Sequence, residues 1–191
     1  MQDSFTGVIL AGGASRRMGT DKAKLTAQSG EPLLDIMKFL LIAAGAKKVA
    51  ILGRPEEAGG IADKHAFAGP ARAIIDYLAR CPVGSRHLVV PIDMPNLTRN
   101  LLHALANQKS WAMYSDYNLP FLAIAGKAIP TNLKRIKDLL SFHHVSELAL
   151  SPGQEQAFLN LNHPHEFTRW RHKSLPATSS INSLPEGSSH V

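Results

Sequence analysis

Short apolar runs alternate with segments of helical periodicity along the chain. Apolar residues dominate at 5–11, 48–52 and 87–92, which is typical of buried strands. Between and after these runs, apolar residues recur at the three- and four-residue spacing of helices that bury one face. The pattern predicts strands at 5–11, 48–52, 87–92, 111–115, 120–125 and 158–161, and helices at 31–45, 70–80, 97–108, 129–140 and 165–171.

The order of these elements predicts the class of fold. Because strands and helices alternate, we expect an α/β fold with a mostly parallel sheet and helices on both of its faces. Ligands of such folds bind beyond the carboxyl ends of the strands. Residues 1–173 form one domain in this prediction. Residues 174–191 are rich in Ser, Pro and Asn and lack periodicity, so we expect a disordered tail.

Composition narrows the class of protein. The 191 residues are 45% hydrophobic and 19% charged, which is typical of a globular domain. No apolar run approaches the roughly 20 residues of a membrane-spanning helix, and the first residues lack the pattern of a signal peptide. The single cysteine, Cys81, excludes an intrachain disulfide and suits a reducing compartment, so we expect a cytoplasmic protein.

The formal net charge of +6 favours anionic partners without identifying them. The lysines and arginines are scattered, and basic residues do not interleave with aromatic ones as in a surface that stacks nucleic-acid bases. We therefore expect no nucleic-acid partner. A polyphosphate ligand would account for the charge equally well.

The first apolar run ends at Gly12-Gly13, and a polar, basic segment follows it. Adjacent glycines lack Cβ atoms, so backbone N–H groups can approach an anion closely. Arg16, Arg17 and Lys22 add charged donors for phosphate oxygens. The alternative is a glycine turn whose arginines face water, but three cations directly after a buried strand favour an anion site.

Two common glycine-rich motifs are excluded. A Walker A loop needs Lys directly after its last glycine, whereas Gly19 is followed by Thr20 and Asp21. The three glycines of the segment also lack the G-x-G-x-x-G spacing of the dinucleotide fingerprint.

Residues 10–22 resemble the signature LAGG-x-S-x-R-M-G-x-D-K of the MobA-like nucleotidyltransferases. Every fixed position of that signature is present: Leu10, Ala11, Gly12, Gly13, Ser15, Arg17, Met18, Gly19, Asp21 and Lys22. The resemblance implies a three-layer α/β/α Rossmann-like nucleotidyltransferase fold. It also implies that Leu10, Ala11, Gly12 and Gly13 bind the nucleotide, and that Lys22 and Arg17 act on the reacting phosphates.

Asp93 follows the apolar run at 87–92 and precedes Met94 and Pro95. A lone aspartate there could cap a helix or stabilise a turn. The resemblance implies instead that this D-x-P element binds Mg²⁺, a hard cation that takes oxygen ligands and shares them with substrate phosphates. We therefore expect Asp93 to be a metal ligand, a nucleotide contact and a catalytic residue.

The resemblance weakens at the positions that would bind the base. Asp63 lies shortly before Gly69-Pro70, where the family has an aspartate that contacts the nucleotide, but the G-P-L-x-G turn reads GPARA here. The family's asparagine after the second strand is replaced by Leu52 or Gly53, and its later His-Pro is Leu119-Pro120. A surface role for Asp63 is therefore an open alternative to nucleotide binding.

Two asparagines are candidates for binding the acceptor. The segment from Phe158 resembles the family's F-x-N-x-N-x-P-E-E element. Asn160 and Asn162 alternate with leucines, so on the predicted strand their side chains would share one face. The resemblance implies that they bind a pterin-like heterocycle, whereas asparagines also commonly form turns at strand ends.

The resemblance as a whole implies transfer of GMP from GTP to the phosphate of molybdopterin, with Mg²⁺ and release of pyrophosphate. Guanine is preferred because the loop reads LAGG, whereas related cytidylyltransferases tend to carry LAAG. Transient contact with proteins that insert or deliver the molybdenum cofactor is compatible with this role. The alternatives are cytidylyl transfer, a different acceptor, or a degenerate nucleotide-binding module, which the GPARA turn and Leu52 would favour.

Overall fold

The computed structural model describes residues 4–12, 21–65, 68–126 and 129–172. Two predicted site residues, Gly13 and Arg17, lie outside the described residues, as does the predicted tail at 174–191. No helix within the described ranges is both long and apolar enough to span a bilayer.

The described ranges form seven strands and five α-helices. The strands are β1 (Phe5–Leu10), β2 (Lys48–Leu52), β3 (Gly60–Ile61), β4 (Arg86–Pro91), β5 (Ala112–Tyr114), β6 (Phe121–Ile124) and β7 (Ser146–Leu148). The helices are α1 (Leu33–Ala43), α2 (Pro70–Leu78), α3 (Arg99–Ala106), α4 (Ile136–Phe142) and α5 (Pro164–His172). Two short 3₁₀ helices, Lys22–Lys24 and Gln154–Phe158, complete the set.

The strands form one sheet in the order β3-β2-β1-β4-β6-β5-β7. β1 is the third strand in this order and runs parallel to both of its neighbours, β2 and β4. β6 is antiparallel to β4 and β5, and the edge strand β7 is parallel to β5. The predicted α/β fold with a mostly parallel sheet is thus confirmed.

Hydrophobic cores cover both faces of the sheet. Ile9 and Leu88 belong to one core, with α1 and α3. Val8 and Val89 belong to the other, with α2 and α4. Neighbouring residues of one strand enter opposite cores because side chains alternate along a strand. This three-layer arrangement explains why β1 and β4 read as continuous apolar runs in the sequence.

Two predicted elements differ from the structure. The strand predicted at 158–161 is wrong, because Gln154–Phe158 is a 3₁₀ helix and residues 159–162 are irregular. The short strand β7 already occupies the sheet edge beside β5. The helix predicted at 129–140 begins only at Ile136. Pro130 disfavours helical geometry at the residue before it, and the chain turns at residues 131–132.

Candidate functional site

The site lies at the carboxyl ends of the central parallel strands. Leu10, the last residue of β1, is in register with Pro91, the last residue of β4. The N–H of Ile92 still donates to the carbonyl of Leu10, at 3.2 Å. Beyond this point the two strands separate, and Gly12 and Asp93 both line the opening between them. The location follows the rule for ligand sites of open α/β sheets.

A cavity of about 530 Å³ opens at this edge. That volume lies within the range of small-molecule sites. Its lining includes six of the residues predicted from the sequence or the resemblance: Leu10, Gly12, Lys22, Asp93, Asn160 and Asn162. Neither Ala11 nor Asp63 is among the described residues that line it.

Lys22 is the centre of the polar contacts in the cavity. Its Nζ donates to Asp93 Oδ2 at 2.6 Å and to Asn162 Oδ1 at 3.2 Å. The side chains of Lys22 and Asp93 are only 16% and 18% exposed, so water screens their charges incompletely. The structure therefore brings together three predicted residues that are far apart in the sequence.

The 3₁₀ helix Lys22–Lys24 holds Lys22 in place. Asp21 precedes this helix, and its side chain accepts a hydrogen bond from the N–H of Ala23 at 3.1 Å. The carboxylate of Asp21 is also paired with the guanidinium of Arg54, which lowers the pKa of Asp21. Arg54 Nε donates to the carbonyl of Ala11 at 3.2 Å. The sequence did not single out Arg54, and its position just past β2 was the available signal.

Ala11 and Gly12 pack against the end of β2. Ala11 is buried, and its N–H donates to the carbonyl of Leu52 at 3.1 Å. Gly53 adopts a φ of +84°, and a Cβ added to it would lie 2.3 Å from the Cα of Gly12. A side chain at position 53 would therefore clash with the backbone. The asparagine that the resemblance places at 52 or 53 has no counterpart in this arrangement, because Leu52 is itself buried in the core.

Asp63 approaches the same backbone from the side. A Cβ added to Gly12 would lie 3.0 Å from Asp63 Oδ2. Partial burial raises the pKa of this carboxyl group, and the nearby Asp76 raises it further. Asp63 is thus placed beside the start of the signature segment rather than in the wall of the cavity.

Asn160 and Asn162 both line the cavity although they do not lie on a strand. The N–H of Leu161, between them, donates to the carbonyl of Asp93 at 2.8 Å. The backbone N–H groups of Asn162 and His163 donate to Glu166 Oε2 at 2.7 and 2.8 Å. These bonds lower the pKa of Glu166 and fix the segment at the start of α5.

The loop between β5 and β6 forms one wall of the cavity. Asp116, Tyr117, Asn118 and Leu119 line the cavity here. The ring of Tyr117 lies 4.1 Å from that of Phe158, measured between centroids. This contact ties the loop to the 3₁₀ helix that precedes Asn160. A polar turn beside a predicted sheet was the signal that could have identified it.

The oxygen donors around Asp93 suit a hard divalent cation. A carboxylate and an amide oxygen, from Asp93 and Asn162, are brought within reach of one ammonium group. Among the described residues, no three His, Cys, Asp or Glu side chains cluster as a complete metal site. A cation held here would need further oxygen ligands, which is typical of Mg²⁺ shared with substrate phosphates.

Comparisons with known proteins show what this chain is similar to. Residues 7–123 match the model of the MobA-like NTP transferase domain. A molybdenum cofactor guanylyltransferase of Xanthomonas euvesicatoria is 34% identical over 91% of this chain and 98% of its own length. A protein of the same name from a Shewanella species is 29% identical over 88% of this chain and 96% of its own.

Solved structures show the same fold. Molybdopterin-guanine dinucleotide biosynthesis protein A of Archaeoglobus fulgidus superposes with a TM-score of 0.68 at 21% identity, over 87% of this chain and 97% of its own. A Mycobacterium tuberculosis protein in complex with manganese superposes with a TM-score of 0.64 at 17% identity, over 89% of this chain and 99% of its own.

Proposed function

Since the chain belongs to the MobA-like NTP transferase family, we propose that it transfers GMP from GTP to the phosphate of molybdopterin. Pyrophosphate is the second product. The contact of Lys22 Nζ with Asp93 Oδ2, 2.6 Å apart at the carboxyl edge of the sheet, carries the proposal. It supplies a cation for nucleotide phosphates and a carboxylate for a divalent metal. The names of two relatives that match this chain over nearly their whole length support the choice of substrates.

The reaction is a displacement at the α-phosphorus of GTP. An oxygen of the molybdopterin phosphate forms a bond to that phosphorus, and the bond to the oxygen that bridges the α- and β-phosphates breaks. The electron pair of the broken bond leaves with pyrophosphate. Because the acceptor phosphate is already an anion near neutral pH, the step requires no general base. Positioning and neutralisation of charge then account for most of the catalysis.

The residues of the cavity divide these tasks. Lys22 contacts the phosphates and stabilises the charge that develops on pyrophosphate, and the resemblance assigns the same role to Arg17. Asp93 would hold Mg²⁺, which neutralises phosphate charge when it is bound. Asn160 and Asn162 provide amide groups for the polar heterocycle of the acceptor. Leu10 and Gly12 line the nucleotide side of the cavity, and Asp63 lies next to Gly12 outside its wall.

The proposal places this reaction in the cytoplasm. Transient contact with proteins that insert or deliver the molybdenum cofactor would follow the transfer step. The single free cysteine, Cys81, is half-buried, and burial raises the pKa of its thiol, so little reactive thiolate forms near neutral pH.

The direct test is pyrophosphate release from GTP and from CTP, with Mg²⁺ and anaerobically prepared molybdopterin. Release with GTP alone is the expected result. Release with CTP alone would contradict the choice of guanine. Nucleotide binding without release in either case would favour a non-catalytic module or another acceptor.

Replacement of Asp93 gives the sharpest check within that assay. We expect Asp93→Asn to lower metal-dependent release by about a hundredfold or more, because the amide lacks the charge that holds the cation. Asp35→Asn is the matched control, since Asp35 is 57% exposed on α1 and is paired with Lys38. Activity of Asp93→Asn close to that of the control would contradict the role of Asp93.

One observation favours altered recognition of the base. Gly53 leaves no space for the asparagine side chain that the resemblance expects. Cytidylyl transfer is therefore the second candidate, and the comparison of GTP with CTP decides between the two.

A further inference from the structure

We propose that Arg54 is a positioning residue that holds Lys22 at the correct distance from the end of β1. This inference rests on the proposed function, because it assigns Lys22 to the nucleotide phosphates. Arg54 itself is placed outside the set of residues that touch the substrates.

The contacts of Arg54 converge from two directions. Its two terminal nitrogens pair with the two carboxylate oxygens of Asp21, which is the two-pronged geometry that an arginine fork favours. Its Nε donates to the carbonyl of Ala11 at 3.2 Å. The side chains of Arg54 and Asp21 are 15% and 28% exposed, so this ion pair is partly shielded from water. One side chain thus joins two separate points of the backbone.

Each of those two points directly precedes a residue that lines the nucleotide side of the cavity. Ala11 directly precedes Gly12, and Asp21 directly precedes Lys22. Asp21 also caps the 3₁₀ helix that carries Lys22, and Lys22 Nζ reaches Asp93. The position of Lys22 relative to β1 therefore depends on Arg54, through Asp21.

A direct role of Arg54 in binding phosphate does not fit these contacts. Each of its three guanidinium nitrogens already has a partner. Nε donates to the Ala11 carbonyl, one terminal nitrogen pairs with Asp21, and the other pairs with both Asp21 and Glu56. Four of its five N–H groups are committed in this way, so Arg54 acts mainly through the groups that it orients. A lysine in its place would keep the charge but could not join Asp21 and Ala11 simultaneously.

The test is a double-mutant cycle between Arg54 and Lys22, with the Kd for GTP measured by titration calorimetry. We expect Arg54→Lys to weaken GTP binding by about tenfold, since misplacing a contact group by even 1 Å can cost more. The KM for GTP should rise correspondingly, and the KM for molybdopterin should not change. In the Lys22→Ala background, Arg54→Lys should have no further effect, because the group that Arg54 positions is gone.

Lys38→Ala is the matched control. Lys38 is paired with Glu57, three residues after Arg54, and not with Asp21. The variant therefore removes a nearby cation without touching the Arg54–Asp21 pair. The control should bind GTP as the unchanged protein does. Asp21→Asn should reproduce the effect of Arg54→Lys, and it provides a second variant if the first folds poorly.

Three outcomes would overturn this role. The first is unchanged GTP affinity in Arg54→Lys, and the second is additive losses of GTP affinity when Arg54→Lys and Lys22→Ala are combined. The third is an equal loss of GTP affinity in the Lys38→Ala control. Failure of the proposed function looks different, because the unchanged protein would then bind nucleotide without releasing pyrophosphate. A protein that binds neither GTP nor CTP would overturn both proposals.

Discussion

The ion pair between Lys22 and Asp93 couples the proposed nucleotide and metal sites through two side chains. Lys22 Nζ lies 2.6 Å from the carboxylate that is proposed to hold the metal. A divalent cation arriving alone must therefore displace an ammonium group from a partly buried partner. Nucleotide phosphates offer Lys22 other anions, so their binding releases Asp93. We expect nucleotide to bind before metal, or together with it.

Removal of the lysine charge should strengthen metal binding to the protein without nucleotide. We expect Lys22→Gln to bind Mn²⁺ about tenfold more tightly, because a hydrogen bond between charged groups no longer has to be broken. Electron paramagnetic resonance of free Mn²⁺ measures this affinity directly. The same variant should lose activity with GTP, so affinity and activity change in opposite directions.

Lys38→Gln is the control for the general effect of losing one positive charge. Its ammonium group pairs with Asp35 and Glu57 rather than with Asp93. An equal gain in Mn²⁺ affinity in both variants would contradict a specific competition at Asp93.

At the scale of elements, the ends of β1 and β2 shape the nucleotide side through two glycines in contact. Gly53 has a φ of +84°, and an added Cβ would lie 2.3 Å from the Cα of Gly12. Gly84 has a similar φ, +83°, but an added Cβ would meet nothing within 4 Å. The two glycines share a left-handed backbone conformation, but only Gly53 lies against a neighbouring backbone. Alanine at each position therefore separates the cost of the conformation from the cost of the clash.

We expect Gly84→Ala to cost about 1 kcal/mol of unfolding free energy, which is the penalty of the left-handed conformation for a residue with a Cβ. Gly53→Ala should cost more, and it should also weaken GTP binding because Gly12 must move. Urea denaturation measures the first quantity and calorimetry the second. Equal stability losses with unchanged GTP affinity would contradict the importance of the contact.

The sequence predicted the elements that are buried on both faces. β1, β2 and β4 read as apolar runs because helices cover both sides of the sheet there. β3 and β7 have only two and three residues at the sheet edges, too short to give a periodic signal. The segment at 158–161 alternates like a strand, yet the buried Phe158 and the bond from Leu161 to Asp93 determine its course.

Candidate site residues were predictable where a strand end places them. Lys22 and Asp93 follow the two central strands, and the topology of a parallel sheet brings such positions together. Arg54 also follows a parallel strand, β2, but its pairing with Asp21 was not predictable, because it depends on side-chain reach between segments 33 residues apart. Contacts of that kind leave no pattern in a single sequence.

At the scale of the whole molecule, the cavity and His87 lie towards opposite ends of β4. Among the described histidines, His87 has the most strongly shifted pKa. His87 is four positions before Pro91, which corresponds to about 13 Å along a strand. It is 3% exposed, and both of its ring nitrogens have partners: Tyr77 Oη at 3.0 Å and Ser85 Oγ at 2.8 Å. Protonation of His87 should therefore change stability without acting directly on the cavity.

Burial lowers the pKa of His87 from 6.5 to about 4, and the charge of Lys48 contributes to the same direction. The unfolded chain then binds the proton more readily than the folded one, so stability is complete above about pH 6.5 and falls as the pH drops towards 4. The loss attributable to this one group is at most about 3 kcal/mol.

Glutamine does not titrate and can both donate and accept hydrogen bonds. The difference in unfolding free energy between the unchanged protein and His87→Gln should therefore be constant above pH 7 and shrink steadily between pH 6.5 and 4, as measured by urea denaturation. A difference that stays constant across that window would show that His87 is not the group that titrates.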